Sequence, residues 1–166
     1  MPELPEVETI VRQLNIRALK VLGARFVDAW TDAKSIIKKN TWEDFKKGLI
    51  GKRIIKVRRR AKNIIFELSG NHILLIHQKM TGHLLLGEWT QEGSHWAPNI
   101  RGPLDDPMNR FLHLIFCLDN KKMLALSDVR KFAKVELWDK VKFLNFILFM
   151  KILDLFRKGQ ENNNKN

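Results

Sequence analysis

The sequence predicts a mainly β fold: a two-sheet β-sandwich, or flattened barrel, of about eight strands with flanking helices and an amphipathic N-terminal helix. Three observations lead there. Short β-branched runs recur along most of the chain, Gly, Asn and Pro punctuate them, and only brief stretches carry helical spacing. At 166 residues and 45% hydrophobic content, the chain is long enough for one ordinary domain with its own core.

Taken in order, Val7, Ile10, Val11 and Leu14 recur at helical spacing, with Pro5 suited to a first turn and Glu6 and Glu8 to the positive helix end. After Gly23, residues 25–31, 53–60, 63–68 and 72–76 read as strands bounded by Gly51, Gly70 and Asn71. Between the first two, Asn40, Thr41 and Asp44 offer caps ahead of Phe45, Leu49 and Ile50, a short helix closed by Gly48 or Gly51. Residues 84–86, 111–118, 123–126 and 133–138 add four strands, with a polar loop over 88–109 among them. Residues 141–156 are too dense in Phe, Leu and Ile for one helical face, and Lys142, Asn145, Lys151 and Asp154 interrupt them. A helix is expected there, followed by a frayed polar tail.

Thirty Lys and Arg against 18 Asp and Glu give a net charge of +12, which favours a polyanionic partner without choosing an activity. The single Cys117 lies in an apolar run, so neither an internal disulfide nor a cysteine zinc cluster is available; a buried core thiol is expected. His72, His83, His95 and His113 have no metal-ligand spacing, and no metal or cofactor is expected in this chain. There is no signal-peptide pattern and no run approaching the roughly 18 to 20 apolar residues of a membrane helix, so a cytoplasmic monomer without a membrane partner is expected.

The stretch richest in chemistry is Met1-Pro2-Glu3-Leu4-Pro5-Glu6-Val7-Glu8. Once Met1 is removed, Pro2 presents a secondary amine, and an α-amino group with a pKa of about 7.7 to 8.0 is partly neutral at physiological pH. Its attack on a sugar C1′ gives an iminium with no N–H to lose, an electron sink for β-elimination. Glu3 beside it is placed to act as a general acid–base group. The plain alternative is that these residues merely start a helix.

Four ordered motifs identify a resemblance. Met1-Pro2-Glu3-Leu4-Pro5-Glu6-Val7-Glu8-Thr9, Arg59-Arg60-Ala61-Lys62, His77-Gln78-Lys79-Met80-Thr81-Gly82 and Asp128-Val129-Arg130-Lys131-Phe132 resemble the signatures of bacterial formamidopyrimidine-DNA glycosylases over about residues 1–138. Leu4, where the sister endonuclease VIII family usually has Gly, favours the purine-directed branch. The resemblance implies base-excision repair on damaged double-stranded DNA: removal of oxidised purines such as 8-oxoguanine and formamidopyrimidines, then strand cleavage at the abasic site. It implies Pro2 as Schiff-base nucleophile, Glu3 as acid–base residue and Lys62 as a phosphate-holding lysine that assists the reaction. Nine cationic residues from Lys46 to Lys62, with no acid among them, fit a phosphate-tracking surface or a solvated basic strand face.

Met80, Arg130 and Phe132 resemble the three residues that enter the duplex, and a thioether, a guanidinium and a ring can each replace lost stacking. Taken alone, Met80 or Phe132 would read as core. His77 is a phosphate contact or a structural strand-end histidine, and Arg60 completes the expected DNA-binding set.

The chain departs from the family pattern at Val129, where proline is usual, and at Lys79, where glycine is usual. The resemblance implies a helix-two-turns-helix domain and a four-cysteine zinc finger that clamp DNA; with one cysteine in these 166 residues, both are expected to be missing from this chain and binding to suffer by several kcal/mol. The change of character after Trp138 resembles the product of a frameshift or premature stop. Two other classes stay open: a truncated, catalytically incompetent fragment acting as a weak nucleic-acid-binding module, and a basic ribonucleoprotein component.

Overall fold

The computed structural model describes residues 4–164, so Pro2 and Glu3 lie outside the described residues. Helix α1 (Leu4–Leu14) buries Val7, Val11 and Leu14 one or two turns apart, and its end is tied down by Asn15, whose Nδ2 donates to Val11 O and to Val57 O, both at 2.8 Å. Strand β1 (Phe26–Thr31) and the two-residue β2 (Ile37–Lys38) precede α2 (Trp42–Leu49). Thr41 caps α2 by accepting from Asp44 N at 3.1 Å, while Glu43 and Asp44 complement its positive end. The helix runs through Gly48, where a Cβ would stand 2.9 Å from Leu137 Cδ2, and Gly51 turns the chain at φ +89°.

Strands β3 (Ile54–Arg60), β4 (Asn63–Leu68), β5 (His72–His77) and β6 (Gly82–Gly87) follow. Then come β7 (Trp89–Glu92), β8 (His95–Pro98), β9 (Leu112–Leu118), β10 (Met123–Asp128) and β11 (Lys134–Asp139). They form a four-stranded sheet β1-β9-β10-β6, a five-stranded sheet β2-β11-β5-β4-β3 and a hairpin β7-β8. All pairings are antiparallel except β2 with β11. The predicted two-sheet β fold with its N-terminal helix is thus what forms, and no closed barrel does. Among the described residues eleven strands replace the expected eight or so: β2 is too short to show a period, and β7 and β8 build a hairpin inside the segment expected to be loop.

The core follows the two-residue strand period. Ile64, Phe66, Leu74 and Ile76 of one sheet meet Leu114, Phe116, Leu124 and Leu126 of the other, with Phe26 edge-on to Phe116 at 5.5 Å. Several strands are also covered on their outer faces: Ile115 and Ala125 pack under Trp89, and Ile65 and Ile73 under Phe143. Double coverage makes β4 and β9 read as continuous apolar runs rather than alternating ones. Cys117 of β9 is half-buried, and burial, with Asp28 nearby, pushes its thiol up from the ordinary value.

Helix α3 spans Lys140–Asn163, starting where Asp139 accepts from Val141 N and Lys142 N. It therefore extends into the tail expected to fray: the cap is strong, and Lys158 to Asn163 continue the helix already nucleated by the apolar stretch.

Candidate nucleic-acid interface

One end of the sandwich gathers the described residues singled out from the sequence: Arg60, Lys62, His77, Met80, Arg130 and Phe132. In the five-stranded sheet, Asn63, His77 and Lys134 lie side by side across β4, β5 and β11, and in the other sheet Gly82 pairs with Asp128. The β3–β4 turn (Ala61-Lys62), the link from His77 to Gly82 and the turn from β10 to β11 all emerge at that end.

Two of these turns are joined by one buried carboxylate. Asp128 is fully buried; its Oδ2 accepts from Ala133 N at 2.8 Å, and its Oδ1 accepts from Arg130 N at 3.2 Å and from the Thr81 hydroxyl. The Thr81 oxygen in turn lies 3.4 Å from Arg130 N. Because Thr81 follows Met80 while Arg130 and Phe132 belong to the second turn, this knot brings the three expected duplex-entering residues together. The Arg130 guanidinium lies 4.7 Å from the Phe132 ring centroid, with Nη1 3.8 Å from Met80 Sδ. Met80 and Phe132 are about half exposed, 49% and 50%, so they are not the core residues their types would suggest in isolation.

The Met80 link is itself tightly specified. Gly82 N donates to Gln78 O at 3.0 Å, and a Cβ on Gly82 would fall 2.3 Å from that oxygen, so only glycine closes the turn. Gln78 is buried, and its Oε1 accepts from Leu84 N at 2.9 Å, bracing the start of β6. Lys79 stands in the left-handed region at φ +57°, which gives a backbone reason for glycine in the family pattern there. Val129 is exposed, and the turn it opens is held by the Asp128 hydrogen bonds rather than by a proline ring.

His77 is half-buried and accepts at Nδ1 from Lys79 N at 3.0 Å, leaving Nε2 as the donor of the neutral ring. Burial first, then the charges of Lys79, Lys134 and Lys62, holds its pKa below the ordinary histidine value. Beside it, Lys38, Lys79, Met80, Lys131, Phe132 and Lys134 line a shallow groove of about 390 Å³. None of these lysines, nor Lys62, Arg60 or Arg130, has an ion-pair partner among the described residues. Such a surface suits phosphate.

Three of the nine cations from Lys46 to Lys62 are paired with acids. Lys46 pairs with Asp28 at 2.8 Å, Arg58 with Glu67 at 3.0 Å and Arg59 with Glu8 at 2.6 Å, each acid arriving from elsewhere in the chain. Arg59 and Arg12 hold the Glu8 carboxyl below its ordinary value, and Arg59 also donates to Ala61 O at 3.1 Å. Glu8 thereby fastens α1 to the turn that presents Lys62. Sequence reading assigned Glu8 only a helix-end role and gave Asp128, Lys38 and Lys134 none. No group of three His, Cys, Asp or Glu among the described residues could hold a metal ion.

Two packed β-sheets behind an N-terminal helix thus carry an exposed methionine–arginine–phenylalanine trio in a cationic surround, a surface suited to a polyanion. The chain belongs to the formamidopyrimidine-DNA glycosylase family, whose N-terminal domain it matches over residues 1–135. It is 35% identical over 133 residues to the formamidopyrimidine-DNA glycosylase of Carboxydothermus hydrogenoformans, covering 80% of this chain and 43% of that protein. It is 30% identical over 145 residues to that of Ureaplasma parvum, covering 87% and 46%. The Lactococcus lactis enzyme crystallised with DNA containing an abasic site superposes with a TM-score of 0.68 at 29% identity, covering 88% of this chain and 47% of that one. A second Lactococcus lactis structure, with DNA containing Fapy-dG, gives 0.69 at the same identity. The chain thus spans less than half the length of the relatives it matches.

Proposed function

We propose that this chain is the nucleophile-bearing domain of a base-excision repair enzyme that removes oxidised purines from double-stranded DNA and cleaves the strand at the resulting abasic site. The observation that carries the reading is the exposed Met80–Arg130–Phe132 trio, tied through Asp128 and set beside unpaired lysines. In this reading Lys62, Arg60 and the Nε2–H of His77 hold phosphate oxygens, while the trio fills the space of an extruded nucleotide and supports the opposite strand.

The chemistry falls to Pro2 and Glu3. The Pro2 nitrogen lone pair attacks C1′, and the C1′–base bond breaks with its electron pair leaving on the base, which is protonated as the Pro2 nitrogen gives up its N–H proton. Glu3 protonates the ring oxygen as the sugar opens, giving the cationic iminium; Lys62 assists. Loss of a C2′ proton then drives electrons toward C3′, expelling the 3′ phosphate, and water finally releases Pro2. No step passes through a metal. A bacterial cytosolic or nucleoid location accords with DNA as substrate, and no helix among the described residues is long and apolar enough to cross a membrane.

Borohydride trapping on an oligonucleotide with one abasic site tests the reading. Protein with free Pro2 is expected to form a covalent adduct, protein retaining Met1 none, and Lys62→Ala a slower adduct. Absence of any adduct at low salt, where binding is strongest, would leave only a nucleic-acid-binding module.

A further inference from the structure

Strand β3 ends in three successive arginines with three different fates. Arg58 pairs with Glu67 on the adjacent strand at 3.0 Å, and Arg60 has no acid partner among the described residues. Arg59 falls two residues after the buried Val57, on the same face of the strand, and meets α1 instead. Its Nε donates to Glu8 Oε2 at 2.6 Å, while Nη1 of the same planar group donates to Ala61 O at 3.1 Å. Ala61 stands in the left-handed region at φ +50°, immediately before Lys62, a conformation that an L side chain adopts only at a cost. One guanidinium therefore joins the first helix to the strained turn that presents Lys62.

We infer that Glu8 is a positioning residue for the proposed reaction: through Arg59 it sets where α1, the helix that Pro2 leads into, stands relative to Lys62. The inference rests on the reading of Pro2 as nucleophile and of Lys62 as the lysine that assists it. The ties that hold α1 support it. Packing of Val7, Val11 and Leu14 is non-directional and leaves the axial position of the helix loosely set, whereas a hydrogen bond fixes a point on it. Two such points are tied to β3: Asn15 Nδ2 donates to Val57 O at 2.8 Å, and Glu8 accepts from Arg59. At 1.5 Å per residue they lie about 10 Å apart along the axis, so the helix can neither slide nor pivot. Without the Glu8 tie, the end left free is the one that carries the nucleophile.

Place and chemistry point the same way. Glu8 lies about 6 Å along the axis from Leu4 at the helix start, so little chain separates the tie from the reacting end. Because Arg59 also holds Ala61 O, a shift of Glu8 is passed to the turn, and the helix and Lys62 keep a common reference. Arg12 reaches Glu8 Oε1 at 3.2 Å from within α1; it steadies the carboxylate without adding a link to the turn. The Arg59 and Glu8 side chains remain 32% and 37% exposed, so their pair contributes little to folding stability and its weight is geometric. A misplacement of about 1 Å between reacting groups can cost about a hundredfold in rate.

The rate of borohydride trapping on saturating duplex with one abasic site, set beside each variant's dissociation constant for that duplex and its urea midpoint, separates positioning from binding and folding. Glu8→Ala is expected to form the adduct about tenfold more slowly while affinity and midpoint stay nearly unchanged. Arg59→Lys keeps the charge but loses the planar fork that serves both acceptors, and is expected to slow the adduct as much. Glu8→Gln keeps an acceptor for Arg59 and is expected to lose only about threefold. Arg12→Ala leaves the link to the turn intact and is expected to stay within about twofold. If the unaltered chain forms the adduct and Glu8→Ala matches its rate, or slows only in proportion to lost affinity or unfolding, the inference alone is overturned. No adduct from the unaltered chain would overturn the reading of Pro2 and this inference with it.

Discussion

Replacing Asp128 by alanine perturbs the point on which the candidate site depends. The change removes the acceptor for Ala133 N, Arg130 N and the Thr81 hydroxyl, of which the first is fully buried. Hydrogen bonds to a charged group contribute about 1.5–3 kcal/mol each, but relief of the buried carboxylate's desolvation offsets part of their sum. A net loss of about 3 kcal/mol follows, or roughly 6–12 °C in Tm for a domain of this size. Asp128→Asn keeps the shape and one carbonyl but turns an amide donor toward a backbone donor, so about half that loss is expected. Urea denaturation measures both. Duplex binding by the alanine variant, measured at a temperature where it remains folded, is expected to weaken about tenfold, because Met80 and Arg130 no longer share an anchor. A loss below about 0.5 kcal/mol for Asp128→Ala would refute the claim that this carboxylate ties the two turns together.

Three further outcomes follow from the same geometry. Gly82→Ala is expected to destabilise by about 1–3 kcal/mol, since its Cβ would meet Gln78 O at 2.3 Å; Gly93→Ala, in open space at φ +64°, is expected to cost only about 1 kcal/mol by the same urea assay. Lys79→Gly relieves a left-handed lysine at φ +57° and is expected to keep stability within about 1 kcal/mol while reducing the salt dependence of DNA binding by about one phosphate contact, read from log–log binding plots. The depressed pKa of His77 means that the unfolded chain takes up its proton first: stability is full above 6.5, the ordinary histidine value, and declines as pH falls through the folded value. His77→Gln is expected to flatten that part of the urea-midpoint profile, and an unchanged profile would remove His77 as its source.

Much of the fold was legible because its strands are bounded by turn residues and buried in a regular pattern, as with Gly70 and Asn71 between β4 and β5. The β7–β8 hairpin was not. Its strands are four residues long with half of their residues exposed, and its best signal was Trp89 and Trp96 on either side of Gly93 and Ser94, pairing as a hairpin that shields Ile115. At the site, residue types marked Met80, Arg130 and Phe132 only through their motifs, because exposure is a tertiary property. The Asp128 network was invisible for the same reason, joining residues up to 49 positions apart. Charge counting over Lys46 to Lys62 overstated the uncompensated charge, because Asp28, Glu67 and Glu8 come from other elements to neutralise part of the run.

The most direct measurement is the affinity of the chain for a duplex with one abasic-site analogue against the same duplex intact, at low salt. If the Met80–Arg130–Phe132 trio reads a gap in the base stack, the interrupted duplex binds at least about tenfold more tightly, and Met80→Ala with Phe132→Ala removes the preference while leaving the salt dependence unchanged. Equal affinity of the unaltered chain for both duplexes would contradict that role and leave the cationic end a general polyanion surface.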